Sequence, residues 1–173
     1  MKTLLNAKQT DLTIQRLAHQ IMEDNPNPDE IVFIGIQPRG TLFSNRLVPV
    51  LESLYGKKVK YGQLDITFYR DDVGHKLHLP NQTRIDFTID KTNVVIIDDV
   101  LYTGRTIRSA MDALIDFGRP AKIELCVLID RRFSRELPIQ PDFSGKAIDS
   151  IYSQRVTVKW NENDGIDEVV LED

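Results

Sequence analysis

The sequence predicts an α/β fold, a doubly wound domain with a mainly parallel β-sheet. Two short runs, residues 31–36 and 93–97, are almost continuously apolar, as expected for parallel strands that are buried on both faces. Segments with helical apolar spacing alternate with the predicted strands. A length of 173 residues permits a substantial core, and no internal repeat or linker is evident, so one domain is expected.

The first predicted helix covers residues 11–24, where apolar side chains recur at helical spacing. The Asn-Pro sequence at 25–28 ends it, and the strand at 31–36 follows. A second helical pattern then contains Phe43, Leu47, Val50, Leu51 and Leu54. Because Pro49 lies inside this pattern, we expect a kink or a late start of the helix.

The alternating residues 64–69 predict a strand, and the polar stretch that follows, up to about residue 92, has no clear period. Residues 93–97 are the clearest buried strand. Residues 106–117 have a helical apolar stripe that ends at Gly118 and Pro120.

The last third of the chain predicts further strands. One covers residues 121–129, and residues 156–160 and 168–171 are expected to form a hairpin across residues 161–165.

Composition excludes several classes of protein. No apolar run is long enough to cross a bilayer, and the N-terminus lacks the apolar stretch of a signal peptide, so a cytoplasmic protein without membrane contact is expected. The net charge is −4, but residues 101–160 carry ten basic and seven acidic side chains. A local basic surface is therefore compatible with the acidic total.

The segment 95–106 carries the strongest chemical signal. A buried strand leads to Asp98 and Asp99, and a Thr-Gly-Arg-Thr sequence then begins a helix. Backbone amides and hydroxyls at a helix start bind a phosphate monoester, and the carboxylates suit ribose hydroxyls or a Mg²⁺ held mostly through the ligand or water. Asp and Thr also end strands and cap helices, but their combination within twelve residues favours a binding site.

A second loop, which contains Arg39 and Gly40, follows the first buried strand. The cation and the backbone amides are able to hold a pyrophosphate, although the same sequence is also an ordinary turn.

The segment 95–106 resembles the phosphoribosyl-pyrophosphate (PRPP) motif of type I phosphoribosyltransferases. More narrowly, the sequence resembles the PyrR family of bacterial pyrimidine-operon regulators with uracil phosphoribosyltransferase activity. That resemblance covers nearly the whole chain, in the family's order, through residues 64–72, 94–121, 135–138, 145–146 and 164–167. It implies a type I phosphoribosyltransferase-like sheet with helices on both faces and a small hood, formed by residues 1–173 as one domain.

The resemblance also assigns roles to particular residues. Arg39, Asp98 and Asp99 are the expected catalytic residues, with pyrophosphate on Arg39 and Gly40 and the ribose on the two carboxylates. The nucleotide-binding residues continue through Val100, Leu101, Tyr102, Thr103, Gly104, Arg105 and Thr106, and the last four hold the 5′-phosphate. Arg131 and Val156 are expected to contact the base. Residues 71–92 correspond to an active-site loop that we expect to close as a lid.

The same resemblance implies Mg²⁺, PRPP, uracil, UMP or UTP, and a homodimer or dimer-based tetramer. It implies binding of pyrimidine-operon mRNA as well, through Arg16, His19, Arg135 and Lys146. Two features depart from the family pattern: Gln140 replaces an arginine, and the segment 130–135 is one residue longer. Fewer phosphate contacts weaken RNA affinity.

Two alternatives stay open. Instead of a uracil phosphoribosyltransferase, the chain would be mainly a nucleotide-sensing RNA-binding regulator with little turnover, or a phosphoribosyltransferase for a purine base. The PRPP motif does not choose a base, because it binds only the ribose-phosphate half of the substrate.

Overall fold

The computed structural model describes residues 1–71 and 81–173. The strands are β1 (Lys2–Leu5), β2 (Ile31–Ile36), β3 (Lys60–Leu64), β4 (Asn93–Leu101), β5 (Lys122–Arg132), β6 (Phe143–Asp149), β7 (Arg155–Lys159) and β8 (Glu168–Glu172). The helices are α1 (Ala7–Asp24), α2 (Arg39–Tyr55), α3 (Arg105–Leu114) and α4 (Asn161–Asp164), with 3₁₀ turns at Thr67–Tyr69 and Ile115–Phe117. Within these described ranges, no helix combines the length and apolarity needed to cross a membrane.

The predicted doubly wound fold is confirmed. A five-stranded sheet of order β3-β2-β4-β5-β6 is parallel throughout. A second, antiparallel sheet of order β1-β8-β7 joins the two ends of the chain, and we call it the hood.

The central strands are apolar on both faces because each face carries its own core. Val95 and Ile97 pack in one core with α1, α2 and the hood. Val94 and Ile96 pack in the other core, with α3. This arrangement explains the continuous apolar runs in the sequence.

The chain reverses its winding direction between β2 and β4. These two strands are neighbours, but α2 follows β2 on one face of the sheet and α3 follows β4 on the other. Their pairing ends at Gly35 and Ile97, so residues 98–101 of β4 extend beyond β2. Ligands of open α/β sheets bind in the crevice at such a switch point.

The prediction of a strand at residues 64–69 is wrong. The strand β3 lies earlier and shares only Leu64 with the prediction. Asp65 ends it, because its carboxylate accepts hydrogen bonds from the Thr67 amide at 2.8 Å and the Thr67 hydroxyl at 2.6 Å. This local bonding favours the 3₁₀ turn over an extended chain.

Two helix starts also differ from the prediction. The helix α1 begins at Ala7, because Asn6 and Gln9 form a reciprocal capping box with hydrogen bonds of 2.9 and 3.0 Å. Of the kink or late start expected from Pro49, the late start is wrong, since α2 begins at Arg39 and continues through Pro49. Because Pro49 has no amide hydrogen, the Asn45 carbonyl has no helical donor. Both residues are exposed, so water is able to hydrogen-bond to that carbonyl.

The C-terminal hairpin is confirmed, with β7 and β8 antiparallel and α4 between them. Strand β1 was not predicted. Further strands were expected in the last third of the chain, but no bounds were predicted for β6. Both lie at sheet edges.

Candidate active site

Two adjacent carboxylates lie at the end of the central strand β4. Asp98 and Asp99 are each only 7% exposed, and the Asp99 amide donates to the Asp98 carboxylate at 3.0 Å. Successive side chains of a strand point to opposite faces, so Asp98 belongs to the α3 face and Asp99 to the α2 face. Each carboxylate lines a different cavity.

Burial makes this pair electrostatically costly. It raises the pKa of Asp98 well above its usual range, and the neighbouring Asp99 charge adds to the rise. Burial raises the pKa of Asp99 to about 6, although the Arg39 charge opposes the rise. The pair is therefore suited to accept a cation or hydroxyl donors from a ligand.

The Asp98 cavity, of about 360 Å³, is bounded by the loop that leads into α3. Gly104 has φ +93°, a conformation that favours glycine. The Arg108 amide bonds to the Gly104 carbonyl at 3.0 Å, and the amides that precede it lie at the helix start, where no intrahelical acceptor is available. This is the geometry of an anion-binding helix start.

The Arg105 guanidinium has carboxylate partners of its own. It contacts Glu136 at 2.7 Å and Asp71 at 2.8 Å. Glu136 lines the same cavity, so this ion pair neutralises a negative charge there. Backbone amides of Glu136 and Leu137 hold the Thr103 carbonyl at 3.0 and 3.2 Å, which fixes the loop.

The Asp99 cavity, of about 190 Å³, contains Arg39 and Val156. The Arg39 guanidinium donates to the Val158 carbonyl of β7 at 2.9 Å. Gly40 lies against β4, where an added Cβ would be 2.4 Å from the Ile97 carbonyl oxygen. The structure thus brings the loop that contains Arg39 and Gly40 next to the segment 95–106, as the sequence analysis required for one site.

Arg131 is buried next to Tyr102, one of the residues that line the Asp98 cavity. Its guanidinium lies 3.9 Å from the Tyr102 ring and donates to the Ser150 hydroxyl at 2.9 Å and the Gln154 carbonyl at 2.7 Å. Tyr102 and Tyr152 both line the cavity. Arg131 therefore fixes the turn at residues 150–154 against Tyr102.

The four candidate RNA-binding residues lie in two environments. Arg16 on α1 donates to the carbonyls of Ser144 and Gly145, and the exposed His19 lies one turn further along the helix. Lys146 on β6 is exposed and donates to a β1 carbonyl at 2.9 Å. The Arg135 side chain is only 20% exposed, and it donates to the Tyr102 carbonyl and a neighbouring carboxylate.

Several cavity residues were missed by sequence reasoning. They are Arg70, Ile107, Glu136 and Tyr152 in the first cavity and Arg155, Thr157 and Val158 in the second. Glu136 lies in segment 135–138, which carries the family resemblance, whereas Tyr152 has no local sequence signal. Of the expected active-site loop, residues 72–80 lie outside the described residues.

Comparison with known proteins identifies the fold as that of a phosphoribosyltransferase. A model of the family described as "Phosphoribosyl transferase domain" matches residues 1–163. A relative named "Bifunctional protein PyrR" from Chloroflexus aurantiacus is 45% identical over 172 residues, covering 98% of this chain and 94% of the relative. One of the same name from Deinococcus deserti is 44% identical over 173 residues, covering 99% and 94%. The chain belongs to the PyrR family.

Solved structures show the same fold at lower identity. A hypoxanthine phosphoribosyltransferase from Trypanosoma cruzi has a TM-score of 0.75 at 18% identity, covering 99% of this chain and 95% of that one. A hypoxanthine-guanine phosphoribosyltransferase from Bacillus anthracis has a TM-score of 0.69 at 21% identity, covering 86% and 83%. At this identity the likeness shows the fold alone.

The close approach at Gly40 predicts that Gly40→Ala is harmful. The new methyl group would force the start of α2 away from β4, so we expect the free energy of unfolding to fall by about 1–3 kcal/mol and kcat/KM by about tenfold or more. Urea unfolding and steady-state kinetics measure both quantities. Ser53→Ala, on the exposed side of the same helix, is the control and is expected to change neither.

The raised pKa of Asp99 predicts that Asp99→Asn stabilises the ligand-free protein. The folded state binds the proton more tightly than the unfolded state, where the pKa is near 3.8, so the wild type loses stability as the pH rises from about 4 to 6. At pH 7.5 we expect the variant to be more stable by roughly 1–3 kcal/mol, and the gap to close towards pH 4. Urea unfolding at both pH values measures this difference. Equal stability at pH 7.5, or the same gain from the exposed control Asp11→Asn, would contradict the prediction.

Proposed function

We propose that the protein is a uracil phosphoribosyltransferase that forms UMP and pyrophosphate from uracil and PRPP. The observation that carries this proposal is the meeting of Arg39, the Asp98–Asp99 pair and the α3 start at one switch point. The start of α3 is an anion site that matches the 5′-phosphate of PRPP. The Asp98–Asp99 pair accepts hydrogen bonds from the ribose hydroxyls, and the Arg39 cation matches the pyrophosphate.

The two cavities divide the substrate between them. The 5′-phosphate binds the first amides of α3 and the hydroxyls of Thr103 and Thr106, and the ribose hydroxyls bind Asp98 and Asp99. Pyrophosphate lies at Arg39 and the amide of Gly40. Uracil lies between the Arg131-supported turn at residues 150–154 and Val156. Residues 1–173 act in this proposal as one catalytic domain, in a cytoplasmic homodimer or dimer-based tetramer.

A ring nitrogen of uracil forms the bond to C1 of PRPP, pyrophosphate leaves with the bonding electrons, and the ring proton is released. The transition state has oxocarbenium character, so catalysis depends on fixed ribose geometry and on cations near the leaving group. Arg39 supplies one such cation, and the buried carboxylates hold the ribose.

The carboxylates of Asp98 and Asp99 also fit Mg²⁺, which prefers oxygen ligands and retains bound water or phosphate. Within residues 1–71 and 81–173, no group of three or more His, Cys, Asp or Glu side chains is gathered around a common point. The cation would be held mostly by PRPP, and it would supply charge neutralisation for the leaving group.

The first test is nucleotide formation with Mg²⁺, PRPP and, separately, uracil, hypoxanthine, guanine, xanthine and orotate. We expect UMP from uracil alone, and a loss of at least about 100-fold in Asp99→Asn, because the ribose contact and local charge are lost. Since that variant is expected to be more stable, unfolding would not explain the loss. Product from a purine would replace the proposal with the purine alternative, and no product with any base would favour a sensor-regulator.

A second function, PyrR-type binding of pyrimidine-operon mRNA, is favoured by the grouping of Arg16, His19 and Lys146 along α1 and β6. All three side chains are exposed, and two are cations at neutral pH. Phosphate contacts by such side chains give affinity that falls with salt.

We expect the affinity for a pyrimidine-operon leader RNA to fall linearly on a logarithmic plot against salt. Lys146→Met should reduce the slope by roughly 0.7–0.9, the value for one phosphate contact. A filter-binding titration measures the slope. Lys57→Met is the control, because Lys57 is already paired with Asp29 at 2.6 Å, and an equal change in that variant would contradict the assignment.

A further inference from the structure

We propose that Arg46, Glu162 and Asp167 form a clasp that positions the hood over the base side of the active site. This inference rests on the proposed function, because it concerns the side of the site where Val156 is proposed to contact uracil. It makes Arg46 a positioning residue for base binding and leaves binding of the 5′-phosphate to other parts of the chain.

One face of α2 supports the hood through three consecutive turns. Arg39, Phe43 and Arg46 are spaced i, i+4 and i+7, so they lie on the same side of the helix. Arg39 donates to the Val158 carbonyl of β7 at 2.9 Å. Phe43 stacks on Trp160, which follows β7, with ring centroids 6.2 Å apart and planes inclined by 13°.

The third contact is the clasp itself. The Arg46 guanidinium makes two hydrogen bonds to the Glu162 carboxylate, at 2.7 and 2.8 Å, and a third to Asp167 at 3.1 Å. The Asp167 carboxylate also accepts the Asn161 amide at 2.8 Å, which closes the α4 turn. The same guanidinium lies 5.7 Å from the centre of the Trp160 ring. Both ends of the connection between β7 and β8 are therefore tied to α2.

These contacts determine where β7 lies relative to Asp99. Val156 faces the Asp99 cavity from β7, four residues before Trp160. A shift of the hood would move Val156 and change the width of this cavity. The loop proposed to bind the 5′-phosphate, residues 103–106, does not depend on the hood. It is held by hydrogen bonds from the amides of residues 136 and 137 to the Thr103 carbonyl.

The clasp is better suited to fixing geometry than to adding stability. The side chains of Arg46 and Glu162 are 34% and 50% exposed, and ion pairs at such positions add little to the free energy of unfolding. A bidentate guanidinium–carboxylate pair nevertheless fixes both distance and orientation. We therefore expect its loss to alter substrate binding more than folding.

The test compares Arg46→Met with wild type for UMP formation. We expect the KM for uracil to rise by about 5- to 50-fold and the KM for PRPP to rise by much less, because Val156 moves with β7 whereas the 5′-phosphate loop and the Gly40 contact with β4 do not depend on the hood. Arg46→Lys retains one ion pair and should recover part of the uracil affinity. Lys57→Met is the control, since it removes an ion pair of similar length that lies beyond the C-terminal end of α2 rather than on the turns that contact the hood.

Trp160, the single tryptophan, gives a readout that does not depend on turnover. It is fully buried in the wild type, and Arg46→Met should increase its quenching by acrylamide at least about twofold. Unchanged quenching, an unchanged KM for uracil, or a parallel rise in both KM values would overturn the clasp proposal. If wild type forms no UMP, the proposed function fails, and the quenching still decides whether the clasp holds the hood.

Discussion

The burial of two adjacent carboxylates at the end of the central strand is the constraint on which the site depends. Asp98 and Asp99 follow four fully buried apolar residues of β4, so the sheet carries them into a poorly solvated position. Desolvation raises both pKa values, and Arg39 offsets only part of the cost for Asp99. A ligand that brings hydroxyl donors or a cation relieves this unfavourable energy, so the cost becomes a source of affinity.

Helix α2 connects this constraint to the rest of the molecule. Gly40 permits its first turn to touch β4, and Arg39 thereby reaches the Asp99 cavity. Further along the same face, Phe43 and Arg46 contact the hood. Because one helix contacts both the central strand and the hood, the distance between the two sides of the site is determined by its packing.

The two halves of the site are built from different parts of the chain. The proposed phosphate side comes from one continuous segment, residues 98–106, which begins on the central strand of the sheet. The proposed base side comes from the turn at 150–154 and from the hood, which lie at the periphery of the sheet. Peripheral segments tolerate sequence change more easily than a central strand. The base side can therefore diverge within this fold while the ribose-phosphate side keeps its geometry.

The sequence by itself determined the parallel sheet, the strands β2 and β4, and the residues of the phosphate loop, because apolar periodicity and helix-start chemistry are local signals. Only the tertiary structure decided what lies opposite them. Strand β1 gains its place by pairing with β8, about 165 residues away, and no local pattern encodes that partner. The buried position of Arg131, the Arg46 clasp and the access of Tyr152 to the cavity have the same origin. Each depends on distant segments meeting, which is set by packing of the whole chain rather than by neighbouring residues.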